Sequence, residues 1–217
     1  MRDFIDLAVG VYGPLEMQNG DVYTGPLVNG ERNGYGLIVF ADQSFYIGNW
    51  ANDMANGEGK HVSIEGTVSE GDWQDNTLTG WAKVTQPDGA SYEGEWLNDK
   101  HHGAGTQKWP NGSWFKGKYA NGEKCGQGQL RLIDGGVYRG EFLSNKIEGR
   151  GTFRWSDGRK YTGTWKENQM HGDGQLSWPN SKAQYTGRFV QDKREGYGEY
   201  IYNYGGRTYR GQWRADK

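Results

Sequence analysis

The sequence predicts an all-β protein built as an array of tandem β-hairpins. Three observations carry this reading. One unit recurs at a fixed period, with lead positions Tyr23, Tyr46, Ser69, Tyr92, Phe115, Tyr138, Tyr161, Tyr185 and Tyr209, six steps of 23 residues and then two of 24. Inside each unit the pattern alternates: Tyr92, Gly94 and Trp96 occupy every second position, and Gly103 and Gly105 do the same further on. Between these runs lie turn formers, such as Asn98-Asp99-Lys100 and Pro110-Asn111-Gly112.

Residues 1–9 place Phe4, Ile5, Ala8 and Val9 at near-helical spacing, which reads as a short N-terminal extension or cap. Residues 10–217 are the array: eight full units over 23–208, with half a unit at each end. The chain stops at Lys217 inside a unit, which reads as a piece of a longer array. Each unit gives two strands. The first carries aromatic-x-Gly-x-aromatic and the second opens with Gly-x-Gly; two to four glycines per unit disfavour helix. Because side chains alternate across a strand, one face collects the aromatics and the glycines together. In the unit from 161 these are Tyr161, Gly163, Trp165, Gly172, Gly174, Leu176 and Trp178. The opposite parity is polar, as in Arg139, Glu141, Arg150, Thr152 and Arg154. A ring beside an absent side chain can lie flat over neighbouring backbone, which gives the glycines their reason.

Composition agrees with an ordered, non-helical chain: 37 glycines, yet 10 Trp and 14 Tyr among 217 residues. A 23-residue unit cannot bury a core alone, so the units must lean on one another in one elongated body. Charge is uneven. Residues 1–110 hold six basic and sixteen acidic residues (net −10), whereas 111–217 hold nineteen and eleven (net +8). The single Cys125 excludes an internal disulfide, no zinc spacing exists, and the expectation is a reducing, cytoplasmic setting. The first nine residues are too short and too acidic for a signal peptide, and no apolar run reaches the ~20 residues of a membrane span.

Units such as YEGEWLNDKHHGAG, YTGTWKENQMHGDG and YRGEFLSNKIEGRG resemble the membrane occupation and recognition nexus (MORN) repeat over roughly residues 10–217. The resemblance implies an elongated, single-layer, twisted antiparallel sheet. It also implies a scaffold or adaptor that binds proteins, sometimes membranes, often dimerises, and sits at cytoskeletal or membrane-apposed structures. Two departures stand out in the unit from 69: Ser69 replaces the lead aromatic, and Gly80-Trp81-Ala82 replaces Gly-x-Gly. The unit from 46 ends in His61 and Ser63 where others are apolar.

No catalytic set emerges. His102 and His171 share one slot beside the Gly-x-Gly step, Cys125 occupies the same slot, and His61 and His101 complete the histidines. The Gly-x-Gly steps lack a following helix and a Gly-Lys-Ser/Thr, so they are not phosphate loops. The expectation is a non-enzymatic protein without cofactor or metal. Three candidate surfaces remain. The aromatic face, with Tyr92, Trp96, Trp109, Tyr138, Phe142, Trp155, Tyr161, Trp165 and Trp178, is internal packing or a groove for a partner protein segment, a helix included. The C-terminal rings Tyr185, Phe189, Tyr200, Tyr202, Tyr209 and Trp213 suit a homodimer interface, because the array ends on an unpaired strand. The alternative is a basic stripe for anionic phospholipid, phosphoinositide above all: Lys108, Lys116, Lys118, Arg131, Arg139, Arg150 and Arg154. Nucleic acid is not expected, since no aromatics stand beside these charges to stack on bases.

Overall fold

A computed structural model describes residues 10–203 and 206–217, at 11 and 12 the backbone alone. The cap expected over 1–9 lies outside the described residues. No described residue is helical. The strands belong to an antiparallel sheet in which neighbours along the chain pair, except that β3 and β4 both pair with β2, and the sheet is not closed into a barrel. The chain divides into two compact units, residues 1–103 and 104–217. In the first run β1 (Gly10–Glu16), β2 (Val22–Val28), the short β3 (Glu31–Arg32), β4 (Gly34–Val39), β5 (Phe45–Ala51), β6 (Met54–Val62), β7 (Val68–Gln74), β8 (Thr77–Thr85) and β9 (Ser91–Leu97). The division falls within β10 (Lys100–Lys108). The second holds β11 (Trp114–Ala120), β12 (Glu123–Arg131), β13 (Val137–Leu143), β14 (Lys146–Arg154), β15 (Lys160–Lys166), β16 (Gln169–Trp178), β17 (Ala183–Val190), β18 (Lys193–Ile201) and β19 (Thr208–Trp213).

Two kinds of turn alternate, as the sequence requires. The tight ones have two residues in the left-handed region, for example Asp75 (φ 48°) and Asn76 (φ 67°), or Glu167 (φ 50°) and Asn168 (φ 68°). This is the hairpin geometry that follows the twist of the flanking strands, and Asn and Asp tolerate it best. The second residue of the turn also ties neighbouring hairpins together. Asn76 Oδ1 accepts from the Ala55 amide (2.8 Å), Asp99 from Leu78 (2.8 Å), Asn168 from Ile147 (2.8 Å) and Asp192 from Met170 (2.8 Å). The amide of each of these turn residues donates back to the carbonyl of the same partner, as Asn168 does to Ile147 at 3.0 Å. The wider turns close on an Asn or Asp that accepts from the amide two residues on, as Asn111 does from Ser113 (2.9 Å).

The core is a stack of rings over bare backbone. Each lead aromatic lies across the glycine two residues on and the glycine opposite it on the next strand. Tyr161 covers Gly163 and Gly174, and Tyr185 covers Gly187 and Gly198; a Cβ at any of the four would overlap the ring. The tyrosine hydroxyl then donates to the carbonyl three residues on: Tyr23 to Pro26, Tyr46 to Asn49, Tyr92 to Glu95, Tyr138 to Glu141, Tyr161 to Thr164, Tyr185 to Arg188 and Tyr209 to Gln212, all at 2.9–3.1 Å.

That carbonyl sits at a wide bulge, and here the structure corrects the face assignment. Alternation alone puts both glycines of Gly-x-Gly beneath rings. Instead Gly163 pairs with Gly174 and Trp165 with Met170, so residues 171–173 oppose Thr164 alone. The first glycine is a bulge residue at positive φ (Gly149 and Gly172, both 67°), and a Cβ on it would strike Glu141 or Thr164 rather than a ring. Only the second glycine makes room for the aromatic. The unit from 69 proves the division of labour. Ser69 has no ring, and there the second position is Ala82, 1% exposed, while the bulge glycine Gly80 stays at φ 105°.

Two predictions follow from this packing. Gly151→Ala, beneath the Tyr138 ring, should cost about 1–3 kcal/mol by overpacking, whereas Gly13→Ala, with open space around its Cβ, should lie within about 0.5 kcal/mol of the parent; urea unfolding of both measures the contrast. Asn168→Ala should lose about 1–3 kcal/mol, from the stranded Ile147 amide and the lost left-handed preference, and Asn168→Gly should recover part of it by restoring only the backbone freedom.

Candidate functional site

The aromatic residues predicted to hold a partner fall into two groups. Tyr92, Trp96, Tyr138, Phe142, Tyr161 and Trp165 are 0–9% exposed and form the core of their own units. Trp109, Trp155 and Trp178 are half-buried at its rim. In the second unit the rings cover one another edge to face: Phe115–Phe142 (4.9 Å), Phe142–Tyr138 (5.2 Å), Tyr138–Trp165 (5.5 Å), Trp165–Tyr161 (5.1 Å), Tyr161–Phe189 (5.1 Å) and Phe189–Tyr185 (5.1 Å), with interplanar angles of 82–89°. Each contact adds about 0.5–1.5 kcal/mol beyond burial. Tryptophan Nε1 is satisfied inside the chain, Trp50 to Gly36 O and Trp165 to Gly151 O, each at 3.2 Å. Cations close over the rings as well. The Arg32 guanidinium lies 4.1 Å from the Trp50 ring centre, Arg194 lies 4.0 Å from Trp213, and Lys124 stands 5.1 Å from Trp109. The expected aromatic groove is therefore largely filled by the chain itself.

The histidines join this packing. His101 stacks on Tyr92 (3.6 Å, 8°), and His61 sits between Phe40 and Trp73, filling the apolar slot that the sequence left odd. Burial lowers the His61 pKa, with Asp42 opposing. The His171 carbonyl accepts from the Thr164 hydroxyl. Cys125 is a free, half-buried thiol on β12. Among the described residues no group of three or more His, Cys, Asp or Glu could hold a metal ion.

The C-terminal rings divide too. Tyr185 and Phe189 are buried (0% and 1%), Tyr200 and Trp213 are half-buried, and Tyr202 and Tyr209 are exposed (53% and 41%). Trp213 Nε1 is buried without a hydrogen-bond partner, unlike the tryptophans above. Among the described residues β19 pairs with β18.

The polar face is where space remains. In the second unit a trough of about 1040 Å³ runs across β11 to β16, floored by Gly128, Gly140, Gly151 and Gly163. One wall carries Gln127, Arg150, Thr164 and Asp173, and the other Lys116, Gln129, Arg139, Thr152 and Thr162. Of the predicted basic stripe, Lys116, Arg139 and Arg150 line this trough. Lys108, Lys118, Arg131 and Arg154 are exposed outside its lining. The first unit has a smaller polar-face hollow of about 630 Å³ with Glu58, Lys60, Glu70 and Asp72 between Tyr35 and Trp81. Those two rings are 62% and 53% exposed, as is Tyr197 at 64%. All three stand between the glycines of a Gly-x-Gly or Gly-x-Ala step, a position that repeat reading had passed over as polar.

A MORN repeat model matches residues 23–45, 46–68, 92–114, 115–137, 138–158, 161–182 and 185–207. The chain belongs to the MORN-repeat family. The stretch left between 68 and 92 is the unit with Ser69 and Ala82, the one that exchanges its ring for a methyl group. No curated protein matches the chain. Among solved structures it is similar to the TCP domain of SAS-4 (dCPAP) of Drosophila melanogaster, in complex with a proline-rich motif of Ana2. That match has 12% identity and a TM-score of 0.43, and covers 83% of this chain and 92% of that one. A point mutant of the TCP10 domain of Danio rerio CPAP matches at 12% identity over 93% and 100% of the two chains, with a TM-score of 0.29.

Burial of the MORN tyrosines sets an alkaline limit. Burial raises the pKa of Tyr46 and of Tyr92 to about 12, Glu95 adding to it at Tyr92, and raises Tyr138 and Tyr161 as well. A raised folded pKa means stability that is whole below the unfolded value near 10 and is lost as pH climbs towards 12. Absorbance at 295 nm should therefore show these tyrosines ionising together with the loss of β circular dichroism above pH 10; ionisation of all tyrosines near pH 10 in a still-folded chain would contradict the burial.

Proposed function

We propose that this MORN array is a non-enzymatic scaffold that self-associates and holds a partner protein, and that it works in the cytoplasm at cytoskeletal or membrane-apposed structures. The observation that carries the reading is the division between its two faces. The aromatic side is consumed as core, and the polar side of the second unit keeps an open trough floored by glycine backbone. An enzyme would need a convergent set of perturbed acids, bases or nucleophiles in such a hollow. This one has amides, threonines, cations and a single carboxylate, Asp173. A partner bound here meets the polar face, which revises the aromatic-face contact expected from sequence.

Self-association is the second half of the proposal. The exposed Tyr202 and Tyr209 and the unpartnered Trp213 Nε1 lie together in the C-terminal part of the second unit. Exposed rings beside an unsatisfied donor favour a covering surface, and two-fold closure is the commonest way to supply one. Light scattering should give a salt-insensitive dimer for the full chain. A chain ending at Ser181, and the full chain carrying Tyr202→Asp and Tyr209→Asp, should both be monomeric. A monomer at every concentration, or a dimer that survives both changes, would refute this half.

The second reading is a peripheral phospholipid-binding module. It is favoured by the exposure of all seven basic-stripe residues. Arg131→Glu with Arg150→Glu and Arg154→Glu should then abolish co-sedimentation with phosphoinositide vesicles at low salt. Failure of the parent chain to sediment under those conditions removes this reading.

A further inference from the structure

We infer that the trough of the second unit takes an acidic, extended polypeptide segment lying along its glycine floor. This rests on the scaffold reading and names the chemistry of the partner.

The first ground is unpaired charge. Two cross-strand ion pairs stand outside the trough, Lys60 with Glu70 (2.8 Å) in the first unit and Arg210 with Glu199 (2.7 Å) in the second. The cations of the trough are in no such pair. Arg139 lies between Gln129 and Thr152 across its two strand neighbours and is hydrogen-bonded to the Gln129 amide oxygen (3.0 Å). Arg150 faces Thr164, and Lys116 faces Gln129. None of the three cations has a carboxylate partner among the described residues. Asp173, the acidic residue in the lining, is opposite Arg188. Residues 104–217 as a whole hold twenty basic and eleven acidic residues. An anionic ligand complements this surface, and the like charges of the cations are relieved by it.

The second ground is shape. The floor glycines are register partners, Gly128 with Gly140, Gly140 with Gly151 and Gly151 with Gly163, so the floor crosses four strands, about 14 Å at ~4.8 Å per strand. The cations stand on both sides of it: Lys116 and Arg139 on one wall, Arg150 on the other. An extended chain covers that length in about four residues at ~3.3 Å each and sends successive side chains to opposite sides. Its carboxylates then reach both walls while Gln127, Gln129 and Thr152 offer hydrogen bonds to its backbone. A phosphorylated lipid headgroup concentrates its charge at one point, and a flat bilayer meets the outward tips of the walls rather than the floor. The linear arrangement therefore favours the peptide.

The test uses the full chain and a fluorescein-labelled ten-residue peptide of alternating Glu and Ser, with the Lys and Ser counterpart as control, followed by fluorescence anisotropy. The expected result is binding of the Glu peptide alone, weakened at least tenfold between about 50 and 300 mM salt and at least tenfold by Arg139→Glu with Arg150→Glu, and unchanged by Lys193→Glu, exposed at the start of β18 and outside the trough lining. Thr152→Leu, uncharged and on the same wall, should weaken binding without altering the salt dependence. No binding of the Glu peptide by the folded parent chain overturns the inference. So does a charge-reversed chain that binds as well as the parent, or a parent that takes up phosphoinositide vesicles but not the peptide. Light scattering of the same charge-reversed chain keeps the two proposals apart. Loss of the dimer in the parent would count against the scaffold reading alone, and a dimer that persists while peptide binding is absent would count against the trough alone.

Discussion

The rest of the structure depends on a tyrosine ring laid across two glycines of adjacent strands. The ring needs bare backbone under it, its hydroxyl needs an acceptor, and a wide bulge supplies one by turning out the carbonyl three residues on. These requirements are coupled. Without the ring the bulge carbonyl loses its donor; without the second glycine the ring has nowhere to lie; without the first glycine the bulge cannot reach its left-handed φ. A buried tyrosine hydroxyl left unpaired would cost about 1–3 kcal/mol, comparable with what a ring pair contributes, so a tyrosine at the lead position holds to the bulge acceptor, whereas Phe115 keeps the ring over Gly117 and Gly128 without a hydroxyl to satisfy. The unit from 69 changed two parts together: Ser69 removed the ring and Ala82 filled the space it left. Gly80 was not released, because its role belongs to the bulge.

The same constraint decides which face can bind. Rings that lie flat on their own sheet, meet the next ring edge to face and donate to backbone have spent their polar and apolar capacity within the chain. On the opposite surface the same positions present only backbone, because any side chain there would point to the ring face. The aligned register of these positions across strands thus gives the trough its bare floor, with walls formed by the residues flanking each glycine. This follows from alternation in a strand: a position that must be empty beneath a ring separates two positions that point away from it.

Sequence periodicity carried most of the fold. The 23-residue step located every strand pair, the Asn/Asp turns located the tight hairpins, and the aromatic positions located the core. Alternation failed at Gly103, Gly126, Gly149 and Gly172, because strict period two cannot represent a bulge in which three residues oppose one. The signal that distinguishes the two glycines was present in the Ser69–Ala82 unit, where one varies with the ring and the other does not. The site was less legible. Nothing in spacing alone tells Lys116, Arg139 and Arg150, which line the trough, from Arg131 and Arg154, which do not. Tyr35, Trp81 and Tyr197 share the slot of Arg150, so alternation places them on the outer face, and what misleads is only their residue type, which matches that of the buried lead tyrosines.

Specificity in such an array resides in the residues that the repeat leaves free. The lead aromatic, the glycines and the turn Asn/Asp are held by packing and hydrogen bonding, so they recur in both compact units and cannot distinguish them. The intervening positions are under no such demand. In the first unit they carry Tyr35, Glu58, Asp72 and Trp81, and in the second Gln127, Arg150, Thr164 and Asp173. One backbone plan therefore presents two surfaces of different chemistry, the first rich in carboxylates and exposed rings, the second in cations, amides and hydroxyls. Exchange of these side chains leaves the ring, bulge and turn network untouched, because none of them belongs to it except where a wall residue meets the bulge, as Thr164 and Asp72 do. Those two are the places where a change of ligand preference also disturbs the fold, and the remainder can vary freely with the partner.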